Sequence, residues 1–193
     1  MNNENTTQLK ELIRYATLAP SSHNTQCWKF RLEDRAISIL PDLSRRCPVV
    51  DPDDHHLYVS LGCAAENLLQ AAKAQGLSGQ ITFDDSGDGA VQIALEPSPP
   101  TVTPLFEAIP HRQCTRAEYD GKPLSLEEIK LLETAGQGDG VRVLMLTERA
   151  EMETVLDYVV QGNTAQINNN AFMSELKSWI RFNDREAAHT GDG

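Results

Sequence analysis

The chain has 193 residues, of which 40% are hydrophobic and 23% charged. That composition fits a globular protein with a buried core and excludes wholesale disorder. The formal net charge of −11 argues against nucleic acid or an anionic membrane as the main partner. It leaves room for a phosphate, which a few arginines or a helix N-terminus can hold.

The opening residues MNNENTTQ are polar and lack the apolar stretch of a secretory leader. No run approaches the ~18 consecutive apolar residues of a membrane span. Cys27, Cys47, Cys63 and Cys114 are irregularly spaced and form no CxxC pair. Neither a zinc site nor a disulfide framework is expected, and reduced thiols in a cytoplasm fit better.

Leu9, Leu12, Ile13 and Ala16 fall at helical spacing, which predicts an amphipathic helix over about residues 7–18, stopped by Pro20. The polar segment APSSHNTQ follows, and then two short strands, Trp28 to Leu32 and Ile37 to Leu40. Asp51-Pro52-Asp53 is a helix-start signal, because carboxylates satisfy and balance a helix N-terminus. The helix that follows, about 53–75, carries Leu57, Leu61, Ala64, Ala65, Leu68, Leu69 and Ala72. Val59 and Cys63 are expected to widen its buried face, and Gly76 to end it.

Strands at Ile81 to Phe83 and Val91 to Leu95 are joined by the turn-forming DDSGDG. EPSPPTVT (Glu96 to Thr103), with three prolines in eight residues, reads as a linker. Thr103-Pro104 starts a short helix, and Ser125 with Glu128 forms a capping box for another. Val141 to Leu146 has the length and apolarity of a strand. Residues 149–182 read as helical, broken at Gly162-Asn163 or at Asn168-Asn169-Asn170. Helices and strands together give a mixed α and β class with a parallel or mixed sheet.

A loose internal repeat places LKELIRYATLAPSSHNTQCWKFRLE, from Leu9, over LEEIKLLETAGQGDGVRVLMLTE, from Leu126. The first copy has the polar PSSHN loop and no arginine before its helix. The second has Arg112 and Arg116 before its helix but only GQGDG as its loop.

Four segments, in order, resemble the nitroreductase superfamily of FMN-dependent oxidoreductases. APSSHNTQCWKF is similar to that family's polar loop, and HRQCTRAEYDGKPL to its arginine-rich entry segment. VVDPDDHHLYVSLGCAAENLLQAAKAQG and WIRFNDREAAHTGDG resemble the core helix and the tryptophan-arginine helix of the tandem, Acg-like branch. The resemblance implies an α+β fold with a mixed sheet flanked by helices. It also implies a pseudo-dimer within one chain: a first half over 1–96, a Pro-rich linker over 97–104, and a second half over 105–193. That second half would be truncated where the chain ends at Gly193, which would favour a homodimer or a swapped dimer.

The same resemblance implies FMN as cofactor and NAD(P)H as co-substrate, with a nitro compound or quinone as electron acceptor. Arg112 and Arg116 would hold the phosphate, for which guanidinium geometry is suited. Ser21, Ser22, Asn24 and Gln26 would offer hydroxyl and amide groups to the rest of the flavin. On residue chemistry alone, the same serines and asparagine are ordinary turn formers and the arginines ordinary solvated cations.

Trp28 reads as a core aromatic, and Cys27 stands where the family has proline. His55-His56 offers no shared helix face and no third ligand for a metal. No GxSxG, GxGxxG or GxxxxGK pattern supports a hydrolase or a phosphate cradle. No side chain is singled out as catalytic, since a flavin carries hydride chemistry itself. A flavin-sequestering or storage protein with little turnover, and a flavin-free interaction domain, remain as alternatives.

Overall fold

Leu9, Leu12 and Ala16 lie along one face of helix α1 (Asn3–Ala16) and are buried, as their spacing requires. They pack with helix α2 (His55–Ala74) in a computed structural model that describes residues 3–115 and 117–190. Helix α2 buries Leu57, Leu61, Ala64, Ala65, Leu68, Ala71 and Ala72. Its alanines have no side chain beyond Cβ, so neighbouring elements can come close without a void.

The sheet has four strands: β1 (Trp28–Leu32), β2 (Ala36–Pro41), β3 (Leu77–Asp84) and β4 (Ala90–Pro97), in the order β1-β2-β4-β3. Every pairing is antiparallel; the parallel or mixed pairing expected from the sequence does not occur in it. The chain reverses directly between β1 and β2, and again between β3 and β4, so neighbouring strands run in opposite directions. Register aligns Ile37 with Ile93 and Ile39 with Val91. With Leu95, these residues form the sheet side of the core.

Helix α2 ends at Gly76, whose φ of +77° puts it in the left-handed region where glycine is favoured. The proline-rich segment after β4 runs along that helix end rather than hanging free. Ser98 N–H bonds Gly76 O and Thr101 N–H bonds Lys73 O, at 2.9 and 2.8 Å. Thr103 Oγ1 then accepts from Phe106 N–H, starting helix α3 (Pro104–Ala108) where its Thr-Pro pair predicts.

By its internal contacts the chain divides into two units, Met1–Gln113 with Asn170–Gly193, and Cys114–Asn169. The second unit holds helix α4 (Leu126–Ala135), whose capping box forms as the sequence predicts, and helix α5 (Arg149–Ile167). Helix α5 runs straight through Gly162-Asn163 and breaks at Asn168-Asn169. Val141 to Leu146 is not a strand: Val141 makes one isolated bridge, to Gly138, and Leu144 stays exposed. Apolarity alone does not make a strand; its N–H and C=O groups need a neighbour to pair with. Helices α6 (Asn170–Trp179) and α7 (Asp184–Thr190) return to the first unit. Among the described residues no helix is long and apolar enough to cross a membrane.

Candidate functional site

The loop between α1 and β1 is built from three residues in the left-handed region: His23 (φ +50°), Asn24 (φ +55°) and Gln26 (φ +50°). Such backbone is uncommon for side chains other than glycine, and each instance costs about 1–3 kcal/mol unless its surroundings enforce it. The loop closes on itself. Asn24 N–H bonds Ser21 O, Thr25 N–H bonds Ser22 O, and Gln26 N–H bonds Ser21 Oγ at 2.9 Å. Ser21 therefore spends an acceptor site on local turn chemistry. The side chains of Ser22, Asn24 and Gln26 make no hydrogen bond to another described residue.

Ser21 and Ser22, with Pro20, form one wall of an open pocket of about 200 Å³. The opposite wall is a stripe of α2: His56, Val59, Ser60 and Cys63. Those positions recur at helical spacing on one face. Val59 was expected to join the buried face of α2; it is instead 51% exposed, on the pocket side. Asp51 fixes this end of the helix, its carboxylate accepting from His56 N–H and Leu57 N–H at 3.0 Å each. The Asp51-Pro52-Asp53 signal is thus used, although the residue directly preceding the helix is Asp54.

Arg112 reaches the base of the loop. The helix and tight turn after Thr103 direct it there, with Ile109 buried and Phe106 packed on Tyr15 at 4.9 Å between ring centroids. An Arg112 guanidinium N–H donates to Leu18 O at 3.3 Å. Its charge is also felt at Cys63: burial pushes that thiol up, and Arg112 pulls against the shift. Arg116 lies outside the described residues.

Cys27 is not a pocket thiol. It is 2% exposed in the core, and burial pushes its pKa up. Trp28 is buried beside it, as its place in a strand predicts.

Several contributors were missed from sequence. His56, Ser60 and Cys63 share a face with Val59, a stripe that was there to be read, but its apolar members pointed to the core. Arg45 and helix α6 also border the loop. The Arg45 Nε–H donates to Thr25 O, and α6 packs on the loop's tight turn at Ser22–Asn24. No local signal in the sequence joins residues so far apart.

The arrangement is a hydroxyl- and amide-bearing loop beside an arginine and a half-apolar helix face, within an α+β unit. No family model matches the chain. Two proteins of Mycobacterium tuberculosis, strains CDC 1551 and H37Rv, each described as "Putative NAD(P)H nitroreductase", are 26% identical to it over 178 residues. The alignment takes in 89% of this chain and 50% of each relative, so the chain spans about half the length of the curated relatives it matches.

Among solved structures, one from Parabacteroides distasonis, titled "Putative NADH dehydrogenase/NAD(P)H nitroreductase", is 17% identical, covering 63% of this chain and 88% of its own, with a TM-score of 0.40. The NADPH:FMN oxidoreductase from Vibrio harveyi complexed with NAD+ is 18% identical, covering 93% and 89%, with a TM-score of 0.37. The likeness is thus to proteins described as nitroreductases, over about half their length; the α+β class rests on this chain's own helices and strands.

Proposed function

We propose that this chain binds FMN between the Ser21–Gln26 loop and the Arg112 segment and serves NAD(P)H-dependent reduction of nitro compounds or quinones. The observation that carries this reading is the approach of Arg112 to the base of the loop, where it donates to Leu18 O. The donor set fits an FMN. A guanidinium suits its phosphate, and the unengaged side chains of Ser22, Asn24 and Gln26 suit its ribityl hydroxyls and ring edge. The pocket beside them is open and lined by Val59 and Cys63 as well as hydroxyls, which suits a ring that is part apolar.

Bound flavin would supply the hydride chemistry; the chain's residues would hold and orient it and limit water at its edge. Arg116 belongs to the same proposal as a second phosphate ligand. So does the tandem arrangement, with 1–96 and 105–193 as two halves joined through 97–104.

Titration of the purified chain with FMN, followed by flavin absorbance and fluorescence, tests the reading. Saturable binding is expected, with Arg112→Ala weakening it about tenfold or more, the scale of one charge-assisted hydrogen bond. NADPH or NADH should then bleach the bound flavin. A chain that leaves FMN free at every concentration refutes the proposal; bound FMN that only dithionite reduces refutes its reductase part.

A further inference from the structure

The strained loop between α1 and β1 does not hold itself. Its internal hydrogen bonds are local, and three left-handed residues in four need support from outside. That support arrives from two distant stretches of sequence, which meet at Arg45. One N–H of its guanidinium donates to Thr25 O, at the end of the loop. The same guanidinium lies over the Trp179 ring, 5.7 Å from its centroid. That distance is within the range of a cation–π attraction.

Helix α6, which carries Trp179, is fixed in turn. The Glu175 carboxylate accepts from Val49 N–H and Val50 N–H, at 2.8 and 3.0 Å. Trp179 also meets the buried Cys47 thiol, whose pKa is pushed up to about 11, foremost by burial and then by the Glu175 charge. The tight turn Ser22–Asn24 packs on α6, and His23 Nε2 is buried without a hydrogen-bond partner among the described residues.

We propose that Arg45 and helix α6 form a clamp that sets the conformation of the Ser21–Gln26 loop, with Arg45 as a positioning residue for the groups that loop offers to a ligand. The role assigned to those groups rests on the FMN reading above; the clamp itself does not. Arg45 acts through Thr25 and need not touch the ligand. A lysine in its place keeps a cation and a donor but loses the flat face that lies on Trp179.

Amide hydrogen exchange on the full chain tests the clamp without flavin. Arg45→Met should speed exchange at the Asn24, Thr25 and Gln26 amides about five- to tenfold, the scale of one lost hydrogen bond. The amides of Ile37, Ile39 and Ile93, in the sheet, should not change. Arg45→Lys should restore part of the protection. Trp179→Leu attacks the same contact from the other side and gives the same readout should Arg45→Met fail to fold.

Unchanged loop exchange in a folded variant overturns the clamp, as does equal acceleration of loop and sheet. FMN affinity measured in parallel separates the two proposals. If the parent chain binds no FMN while its loop responds as described, the clamp stands and the flavin reading falls. If the parent binds FMN, and Arg45→Met alters neither exchange nor affinity, the clamp falls and the flavin reading stands.

Discussion

Replacing Asp51 with alanine should destabilise the first unit and loosen the pocket wall together. The carboxylate is 3% exposed and accepts from two of the amides that a helix start leaves without an internal partner. Losing a helix cap costs about 0.5–2 kcal/mol, and a hydrogen bond to a charged group contributes about 1.5–3 kcal/mol. The two bonds go to the two oxygens of one carboxylate and are not independent, so a total near 3 kcal/mol, less than their sum, is expected.

For a protein of this size that corresponds to a fall in Tm of roughly 6–12 °C. Thermal and urea unfolding followed by circular dichroism measures it, with an unchanged m-value showing that stability and not compactness has moved. Asp51→Asn keeps one acceptor but turns an NH2 toward the other amide, so it should lose at least half as much. A stability within about 0.5 kcal/mol of the parent for Asp51→Ala would show that this carboxylate does not start α2.

Two further outcomes follow from the same structure. Burial alone would raise the Asp42 carboxyl; hydrogen bonds from Lys29 Nζ, Ser44 Oγ and Ser44 N–H outweigh it and hold it below the usual carboxylate range. A carboxyl lowered on folding contributes stability that is full above its unfolded pKa, near 4, and lost as pH falls through the folded value. Asp42→Asn should therefore flatten the acid limb of the stability profile below about pH 4, measured by urea unfolding across pH. Thiol labelling with a disulfide reagent near neutral pH should modify the exposed Cys114 first and Cys63 slowly. Cys27 and Cys47, both buried, should react only on unfolding.

What the sequence discloses here is mostly chemistry that completes itself within a few residues. Strand Trp28–Leu32, the Ser125–Glu128 box, the Thr103-Pro104 start and the acidic signal before α2 all depend on near neighbours, and all are found. What it conceals depends on partners far along the chain. The apolar run from Val141 could not reveal that no strand would lie beside it. The period of the strands could not reveal that all their neighbours would run antiparallel.

At the candidate site the PSSHN segment stood out by composition, but its left-handed backbone did not: His, Asn and Gln can adopt that region without advertising it. Val59 misled because an apolar residue on a helix serves a core and an open pocket equally well. Glu175, Trp179 and Arg45 carried no local sign of their common purpose.

Among the described residues, the core cluster and the side chains packed on it come entirely from positions up to Phe106, whereas Glu175 and Trp179 lie far downstream. Of the two stretches in the proposed clamp, Arg45 lies within the part of the chain that builds the core, and α6 lies outside it. With that clamp, substitutions in α6 would change the geometry at the pocket while leaving the side chains of the core cluster untouched, so the two could be altered separately.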